Sequence, residues 1–356
     1  LYLVTGNHTP LPPGIPSLQP AVWETDSLLQ EMNDAMGHAV GIQPPAGWIC
    51  RITPDGKDWV MVASGFRNAV DIAINREGEL FTYDSDLEFD VGTPWYRPTR
   101  VNHVTSASEF GWRPGSAKWP DYFEDSNGAV INIGPGSPTG ISFGHHSNFP
   151  APYQDKLFIC DWTFGSIYLI DMEEDGSSYV GTKTEFLNGQ PLNISAMRFG
   201  PDGHMYFLVG GRNTDSRLYR IRYVGPPQKG AGKRLVANQD LRDLRHSLEV
   251  FHGNPHAGNT AITRAWPHLS HPDRNIRYAA RLAIENQPVS LWQERVLREE
   301  DQRALIHASI ALCRHGDPSL SHRILKKLNQ IPFDSLAAED QLALLRAYSL
   351  CFIRLG

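Results

Sequence analysis

Apolar and polar residues alternate in short runs over the first two thirds of the chain, and turns that contain glycine separate these runs. The first set predicts four strands, at residues 47–52, 59–63, 70–74 and 80–83. The sequences Pro-Asp-Gly at 54–56 and Arg-Glu-Gly at 76–78 predict the turns between them. Apolar alternation with such turns is typical of antiparallel sheet.

The same order of strands and turns returns later, at residues 166–171, 184–187, 194–199 and 205–209. A repeated unit of about four strands indicates the blades of a β-propeller. A β-sandwich is the alternative, but it would not need the same order of turns twice. The opening residues 1–5 match the last strand of such a unit. The sequence therefore predicts an N-terminally truncated propeller, a fragment of a longer protein.

The spacing of apolar residues changes after residue 225, where a stretch rich in Gly, Pro and Lys predicts a linker at 226–233. Beyond it, apolar residues three or four apart, with prolines between the runs, predict a series of helices. The segment 273–280 resembles the second helix of a HEAT repeat, with small alanines that allow close packing. We therefore predict a partial propeller at 1–225 and a truncated HEAT-like α-helical solenoid at 234–356. A simple helical bundle is the alternative.

Charge and cysteine usage exclude several classes of protein. Residues 1–225 carry 15 Lys and Arg against 26 Asp and Glu, whereas residues 226–356 carry 18 against 13. An acidic first domain argues against nucleic acid as a partner. No uninterrupted apolar run reaches 18 residues, so the sequence predicts no membrane span. The four cysteines lie far apart without CxxC or CxxCH, which predicts no redox pair, zinc ribbon or haem attachment within the chain.

The first candidate for chemistry is the loop Gly65-Phe66-Arg67-Asn68 between two predicted strands. Such a loop projects from one face of a propeller, where Arg67 suits a carboxylate or an oxyanion and Asn68 can fix the loop. A purely structural role for the loop is the alternative.

The second candidate is an acidic strip, which we define as Asp84, Asp86, Glu88 and Asp90. Carboxylates at alternate positions repel one another unless a cation relieves them, and oxygen ligands suit Ca²⁺. The strip therefore predicts a calcium site. In the alternative interpretation, the acids form ion pairs with Arg97 and Arg100.

The third candidate is an aromatic stretch with interspersed polar residues. Aromatic rings beside arginine and asparagine can stack on a sugar or on a flat cofactor. The predicted pocket residues are Trp95, Arg100, Asn102 and Trp112. The alternative is that these rings plug one end of the propeller.

Together, residues 65–68, 100–103 and 109–112 resemble the quinone-dependent glucose/sorbosone dehydrogenase propellers. Residues 83–98, with the helical segment, resemble the membrane-bound dehydrogenase or haem-binding-domain proteins of planctomycete-type bacteria. The resemblance implies a six-bladed-type propeller that binds pyrroloquinoline quinone and Ca²⁺ and oxidises a sugar or polyol. It implies a contact between Arg67 and the quinone, and we predict Asn68, Arg100, Asn102 and Trp112 as further cofactor-binding residues. It also implies an extracytoplasmic, periplasmic-type location, a catalytic His before residue 1, and a cytochrome c-type haem domain outside this chain.

The sequence departs from that family pattern where the cofactor would be held. Asn193 and Ser195 stand where the family has two arginines, and the family's lysine falls near Trp162 and Thr163. Without these cations a tricarboxylate loses charge-assisted hydrogen bonds, which speaks against quinone binding. The leading hypothesis is an oxidoreductase-like propeller. The alternative is a non-catalytic scaffold that binds a glycan or a protein, with the HEAT-like segment docking a protein partner.

Overall fold

The computed structural model describes residues 1–20, 26–28, 32, 36–114, 119–226 and 237–356. Within these ranges a region of β-sheets precedes a region of helices, as the sequence predicts. The predicted linker at 226–233 lies outside the described residues except for its first position.

The described strands form four sheets. The strands, in chain order, are β1 (Tyr2–Val4), β2 (Gly47–Ile52), β3 (Trp59–Phe66), β4 (Ile72–Ile74), β5 (Leu80–Asp84), β6 (Thr99–Val104), β7 (Ser108–Glu109), β8 (Ile131–Gly134), β9 (Pro138–Phe143), β10 (Leu157–Asp161), β11 (Ser166–Asp175), β12 (Ser178–Asn188), β13 (Ile194–Phe199), β14 (Met205–Gly211) and β15 (Thr214–Ile221). Their spatial orders are β1-β2-β3-β7, β4-β5-β6-β8, β9-β10-β11-β12 and β13-β14-β15. All neighbouring strands are antiparallel except β3 and β7.

Successive sheets pack face to face through apolar side chains. Ile49 and Phe66 of the first sheet share a buried cluster with Leu80 of the second, and similar clusters join the second sheet to the third and the third to the fourth. Strand β9 lies against both β4 and β13, so the first strands of three sheets are neighbours. This is a propeller-like arrangement. Among the described strands no pairing closes the sheets into a ring, and the six-bladed type stays a prediction.

The predicted strands are present, but the structure groups them differently. The four strands that we assigned to one unit divide between the first and second sheets, and those of its repeat divide between the third and fourth. The prediction that residues 1–5 end a unit is wrong, because β1 pairs with β2 at the edge of a sheet that the chain then completes. Short alternating runs reveal strands, whereas long-range pairing decides which sheet each strand joins.

The helical region follows the predicted order. Its helices are α2 (Gln239–Glu249), α3 (Asn259–Ala265), α4 (Arg274–Glu285), α5 (Gln293–Val296), α6 (Gln302–His315), α7 (Ser321–Leu328) and α8 (Ala338–Arg354); the short α1 (Ala151–Gln154) belongs to the sheet region. Asp273 and Asp301 cap α4 and α6 by accepting the backbone N–H groups of Ile276 and Ala304. None of the helices in the described ranges is both long and apolar enough to cross a bilayer.

One apolar core holds the helices together. Ala279, Ala280 and Ala283 on α4 are buried in it, which allows the close approach that the sequence predicts. Helix α6 packs on both α4 and α8. A helical region is therefore confirmed, while its HEAT-like solenoid geometry stays a prediction.

A buried charged interface, which we define by Asp26 and Asp125 before the helices and Arg314 and Arg346 within them, joins the two regions. Arg346 donates to both carboxylate oxygens of Asp125, at 3.0 and 2.8 Å, and Arg314 pairs with the same carboxylate. Arg314 also donates to the Asp26 carboxylate at 2.6 Å, and Arg346 donates to the Asp26 carbonyl at 2.8 Å. All four side chains are almost completely buried. The helices are therefore packed against the sheet region through paired charges.

A second contact lies at the turn between β4 and β5. The Glu79 carboxylate accepts from Arg245 at 2.6 Å and from His246 at 3.0 Å, both on α2. On its other oxygen it contacts His103 of β6 at 2.8 Å. Burial opposes the charge of Glu79, but hydrogen bonds from His103 and His246 and the charge of Arg245 hold its pKa far below the usual value. The second sheet is thus joined to α2 by a charged carboxylate.

His307 on α6 makes the fold sensitive to acid. It is fully buried, and neither ring nitrogen has a hydrogen-bond partner among the described residues. Burial, with Arg277 and Arg281 nearby, holds its pKa well below 6.5. Below pH 6.5 the unfolded chain therefore binds a proton at His307 that the folded protein does not bind. The free energy of unfolding decreases as the pH is lowered. We expect His307→Leu to reduce this loss by up to about 1.4 kcal/mol per pH unit.

The measurement is urea unfolding at pH 7.5, 6.5 and 5.5. The wild type and His307→Leu should unfold at similar urea concentrations at pH 7.5 and diverge as the pH falls. An exposed histidine variant, His8→Leu, serves as the control and should follow the wild type. Parallel pH profiles for the wild type and His307→Leu would contradict the assignment of His307 as a buried neutral residue.

Candidate functional site

The loop that follows β3 is held by a carboxylate from the neighbouring sheet. Asp84, the last residue of β5, accepts the backbone N–H of Arg67 at 3.1 Å and that of Asn68 at 2.9 Å. Because both donors belong to the backbone, Asp84 fixes the path of the chain and leaves the Arg67 side chain at the surface of the loop. The Asn68 side chain packs against Gly6. Asp84 therefore has a structural role in this site.

Gly65 allows that loop to pass close to β7. Its φ is +80°, a value that favours glycine, and a Cβ there would lie 2.7 Å from the backbone nitrogens of Phe110 and Gly111. The buried Glu109 carboxylate occupies the same space and accepts the N–H of Gly111 at 2.7 Å. The glycine of the loop motif is thus required by packing.

The other residues of the acidic strip are paired with cations and with a phenol. The Arg67 guanidinium lies 3.5 Å from Asp86 and 3.3 Å from Glu88, and Asp90 pairs with Arg97 at 2.6 Å. The Tyr96 hydroxyl donates to Asp86 at 2.5 Å. Burial, and then this hydrogen bond, raise the pKa of Tyr96. The Arg67 side chain, which we predicted to bind an anion, is therefore paired with carboxylates of the protein itself.

The calcium site predicted at the acidic strip stays a prediction. Among the residues that the structure describes, no group of three or more His, Cys, Asp and Glu side chains is arranged to hold a metal ion. Of the ion pairs in the alternative interpretation, that of Arg97 with Asp90 is present, and Arg67 pairs with Asp86 and Glu88. Arg100 instead donates to the carbonyl of Phe110 and lies 3.8 Å from Asp121.

Arg100 and Asn102 lie on one buried face of β6. Arg100 pairs across the strands with Asp84, and Asn102 with Thr82. Burial lowers the pKa of Arg100, and the nearby Asp84 carboxylate opposes that shift. Asn102 is completely buried, and its amide has no hydrogen-bond partner among the described residues. Two predicted cofactor residues therefore lie beneath the surface.

Trp112 is also buried. It packs against Ala46 and Leu87, and it does not line the cavity described below. Trp95, by contrast, is 63% exposed. The aromatic stretch thus divides into a packed ring and an exposed one, so the predicted single pocket of Trp95, Arg100, Asn102 and Trp112 is not formed by these four side chains together.

A cavity of about 280 Å³, which we name the arginine cavity, lies next to the acidic strip. Its lining residues are Arg97, Pro98, Arg100, Trp119, Pro120, Asp121, Tyr122 and Asn132. Arg97 joins the cavity to the strip through Asp90. Of the predicted cofactor residues, Arg100 lines this cavity. The sequence analysis did not predict Asp121, Tyr122 and Asn132 as site residues.

The two residues that the resemblance aligns with the quinone-binding arginines make hydrogen bonds to the backbone. Asn193 donates to the carbonyl of Trp162 at 2.9 Å, and Ser195 donates to that of Leu208 at 3.3 Å. Asp161, close by, is buried with one carboxylate oxygen unpaired among the described residues, and burial raises its pKa. With Arg67 held by carboxylates, these residues do not fit a tricarboxylate cofactor.

Among known proteins, this chain is similar to several solved structures. No protein-family model matches the chain, and no curated protein matches it. The chain is similar to a PQQ-bound aldose sugar dehydrogenase from Streptomyces coelicolor, at 15% identity and a TM-score of 0.38, over 49% of this chain and 51% of that one. It is also similar to a glucose dehydrogenase, at 17% identity and a TM-score of 0.37, over 48% and 49% of the two chains. The chain thus spans about half the length of these structures.

Proposed function

We propose that this chain is the sugar- or polyol-binding part of an oxidoreductase-like propeller. The observation that carries the proposal is the arginine cavity, where two guanidinium groups, a carboxylate and an amide surround one volume. Such groups can bind the hydroxyls of a sugar, while the exposed ring of Tyr122 offers an apolar face for stacking. A volume of about 280 Å³ suits a single sugar ring.

The arginine cavity accounts for the proposed sugar binding, and the oxidation of the sugar needs groups outside this cavity. Oxidation of a sugar hydroxyl to a carbonyl removes two electrons and two protons, and in this proposal the electrons pass to a haem c domain outside this chain. The proposed location is extracytoplasmic. In this proposal the electrons do not pass through pyrroloquinoline quinone, because Asn193 and Ser195 carry no charge that would hold its carboxylates.

A non-catalytic scaffold is the second candidate. It is supported by the pairing of Arg67 with Asp86 and Glu88 and by the backbone contacts of Asn193 and Ser195. Groups that are already satisfied are not poised to take part in chemistry. In this form the arginine cavity binds a glycan and the helical region docks a protein partner.

Replacing Tyr122 with alanine is expected to weaken sugar binding about tenfold, because a stacking face is lost. Titration calorimetry with a panel of neutral hexoses and hexitols measures the affinity. Trp95→Ala is the matched control, since this aromatic ring is also exposed but lies outside the arginine cavity. Equal affinities for the wild type and Tyr122→Ala, or a loss confined to Trp95→Ala, would place the binding site elsewhere.

Turnover separates the two candidates. Sugar-dependent reduction of an artificial electron acceptor, measured with and without added pyrroloquinoline quinone and Ca²⁺, supports the oxidoreductase. Sugar binding without reduction supports the scaffold, and the absence of binding by every sugar and polyol overturns the proposed substrate. A rise in melting temperature at millimolar Ca²⁺, lost in Glu88→Gln, would support the predicted calcium site.

A further inference from the structure

Two cysteines that are distant in sequence meet in the helical region. Cys313 on α6 and Cys351 on α8 are free thiols, and both are fully buried in the apolar core of the helical region. The Cys313 sulfur also lies 3.7 Å from the carbonyl of Ala347, one helical turn before Cys351. The pair therefore spans the contact between two packed helices.

We propose that Cys313 and Cys351 form a reversible disulfide that cross-links α6 to α8. The oxidant is a disulfide, either of a small molecule or of another protein. One cysteine thiolate attacks a sulfur of that disulfide, which forms a mixed disulfide and releases one thiol. The second cysteine then loses its proton and attacks the mixed disulfide, which forms the internal disulfide and releases the second thiol. Two electrons pass from the protein to the oxidant.

Cys351 is suited to be the attacking sulfur. A hydrogen bond from Cys313 outweighs burial, and with a further hydrogen bond from Ser321 it lowers the pKa of Cys351 to about 6. The Ser321 hydroxyl lies 3.7 Å from the Cys351 sulfur. This shift favours the thiolate of Cys351, which is the form that reacts.

Cys313 has the properties of the second, resolving thiol. Its hydrogen bond to Cys351 and its burial raise its pKa well above 9.0, so it stays protonated until the mixed disulfide forms. The remaining cysteines offer internal controls, because Cys50 and Cys160 lie in separate apolar clusters of the sheet region. Burial raises the pKa of Cys50 to about 11, and it raises that of Cys160 as well. Neither is expected to react.

The experiment exposes the folded chain to oxidised glutathione at pH 8, alkylates the remaining thiols after unfolding, and measures intact and peptide masses. The wild type should keep two alkylatable cysteines, and its digest should contain a peptide pair joined through Cys313 and Cys351. Cys313→Ser should stop at the first step with glutathione on Cys351. Cys351→Ser should carry no glutathione on Cys313, and Cys50→Ser should still form the internal disulfide.

Thermal melting gives an independent readout. The oxidised wild type should melt roughly 5 °C or more above the reduced protein, and dithiothreitol should reverse the shift. Four alkylatable cysteines in the wild type after oxidation, or a cross-link through Cys50 or Cys160, would overturn the proposal. If a serine variant fails to fold, which circular dichroism reports, the peptide masses of the wild type decide the question.

Discussion

Asp125→Ala is expected to lower the free energy of unfolding by about 3–5 kcal/mol. The carboxylate is completely buried and pairs with Arg314 and Arg346, and these charges hold its pKa far below the usual value despite burial. Removing it leaves two buried guanidinium groups without the carboxylate that they share, although Asp26 and, for Arg314, the charge of Glu285 remain nearby. A loss of this size arises because the arginines have been taken out of water and lose their main partner.

Urea unfolding followed by circular dichroism measures the effect. Glu294→Ala is the matched control, because it also breaks a carboxylate–arginine pair, with Arg323, but in an exposed position. Exposed pairs contribute little, so we expect no measurable change there. Similar losses in both variants would mean that the charged interface is solvated, and a loss in neither would mean that the two regions do not pack through Asp125.

Gly65→Ala is expected to destabilise the protein by about 2–5 kcal/mol. The alanine would have to keep a φ of +80°, and its methyl group would meet Glu109 and the backbone of Phe110 and Gly111. Backbone atoms cannot move aside as the end of a flexible side chain can. We therefore expect the chain around β7 to shift, and Arg67 to shift with it.

The control for this variant is Gly56→Ala in the turn between β2 and β3. Gly56 has a similar φ of +76°, but no described atom lies within 4 Å of the position of a Cβ. Its expected loss, about 1–2 kcal/mol, comes from the backbone conformation alone. The difference between the two variants measures the steric contribution at Gly65. Equal losses would show that close packing against Glu109 does not explain the glycine of the loop motif.

The fold was predictable where the signal is local. Alternating runs and the turns at 54–56 and 76–78 gave the strands, and the spacing of apolar residues gave the helices. The grouping of strands into sheets was not predictable, because a hairpin such as β2–β3 has the same pattern of apolar residues and turns whichever sheet it joins. Its place depends on contacts with distant residues, such as the parallel pairing of β3 with β7.

The candidate site was predictable as a region, but the roles of its residues were not. The sequence shows that Arg67 and Asp84 carry suitable groups, whereas the structure shows Asp84 binding the backbone of Arg67. Asn102 and Trp112 look like pocket residues by type and are buried. The cysteine pair was not predictable for the same reason, because a contact between two helices leaves no short sequence motif such as CxxC.

The charged interface also affects how the protein is synthesised. Asp26 leaves the ribosome before its partners, because Arg314 and Arg346 lie 288 and 320 residues further along the chain. At about 5–20 residues per second, roughly 15–65 s pass before Arg346 follows. During that interval the acidic sheet region has no helical region to neutralise its buried carboxylates. Nascent chains should therefore remain accessible to proteases and to molecular chaperones until translation has passed α8.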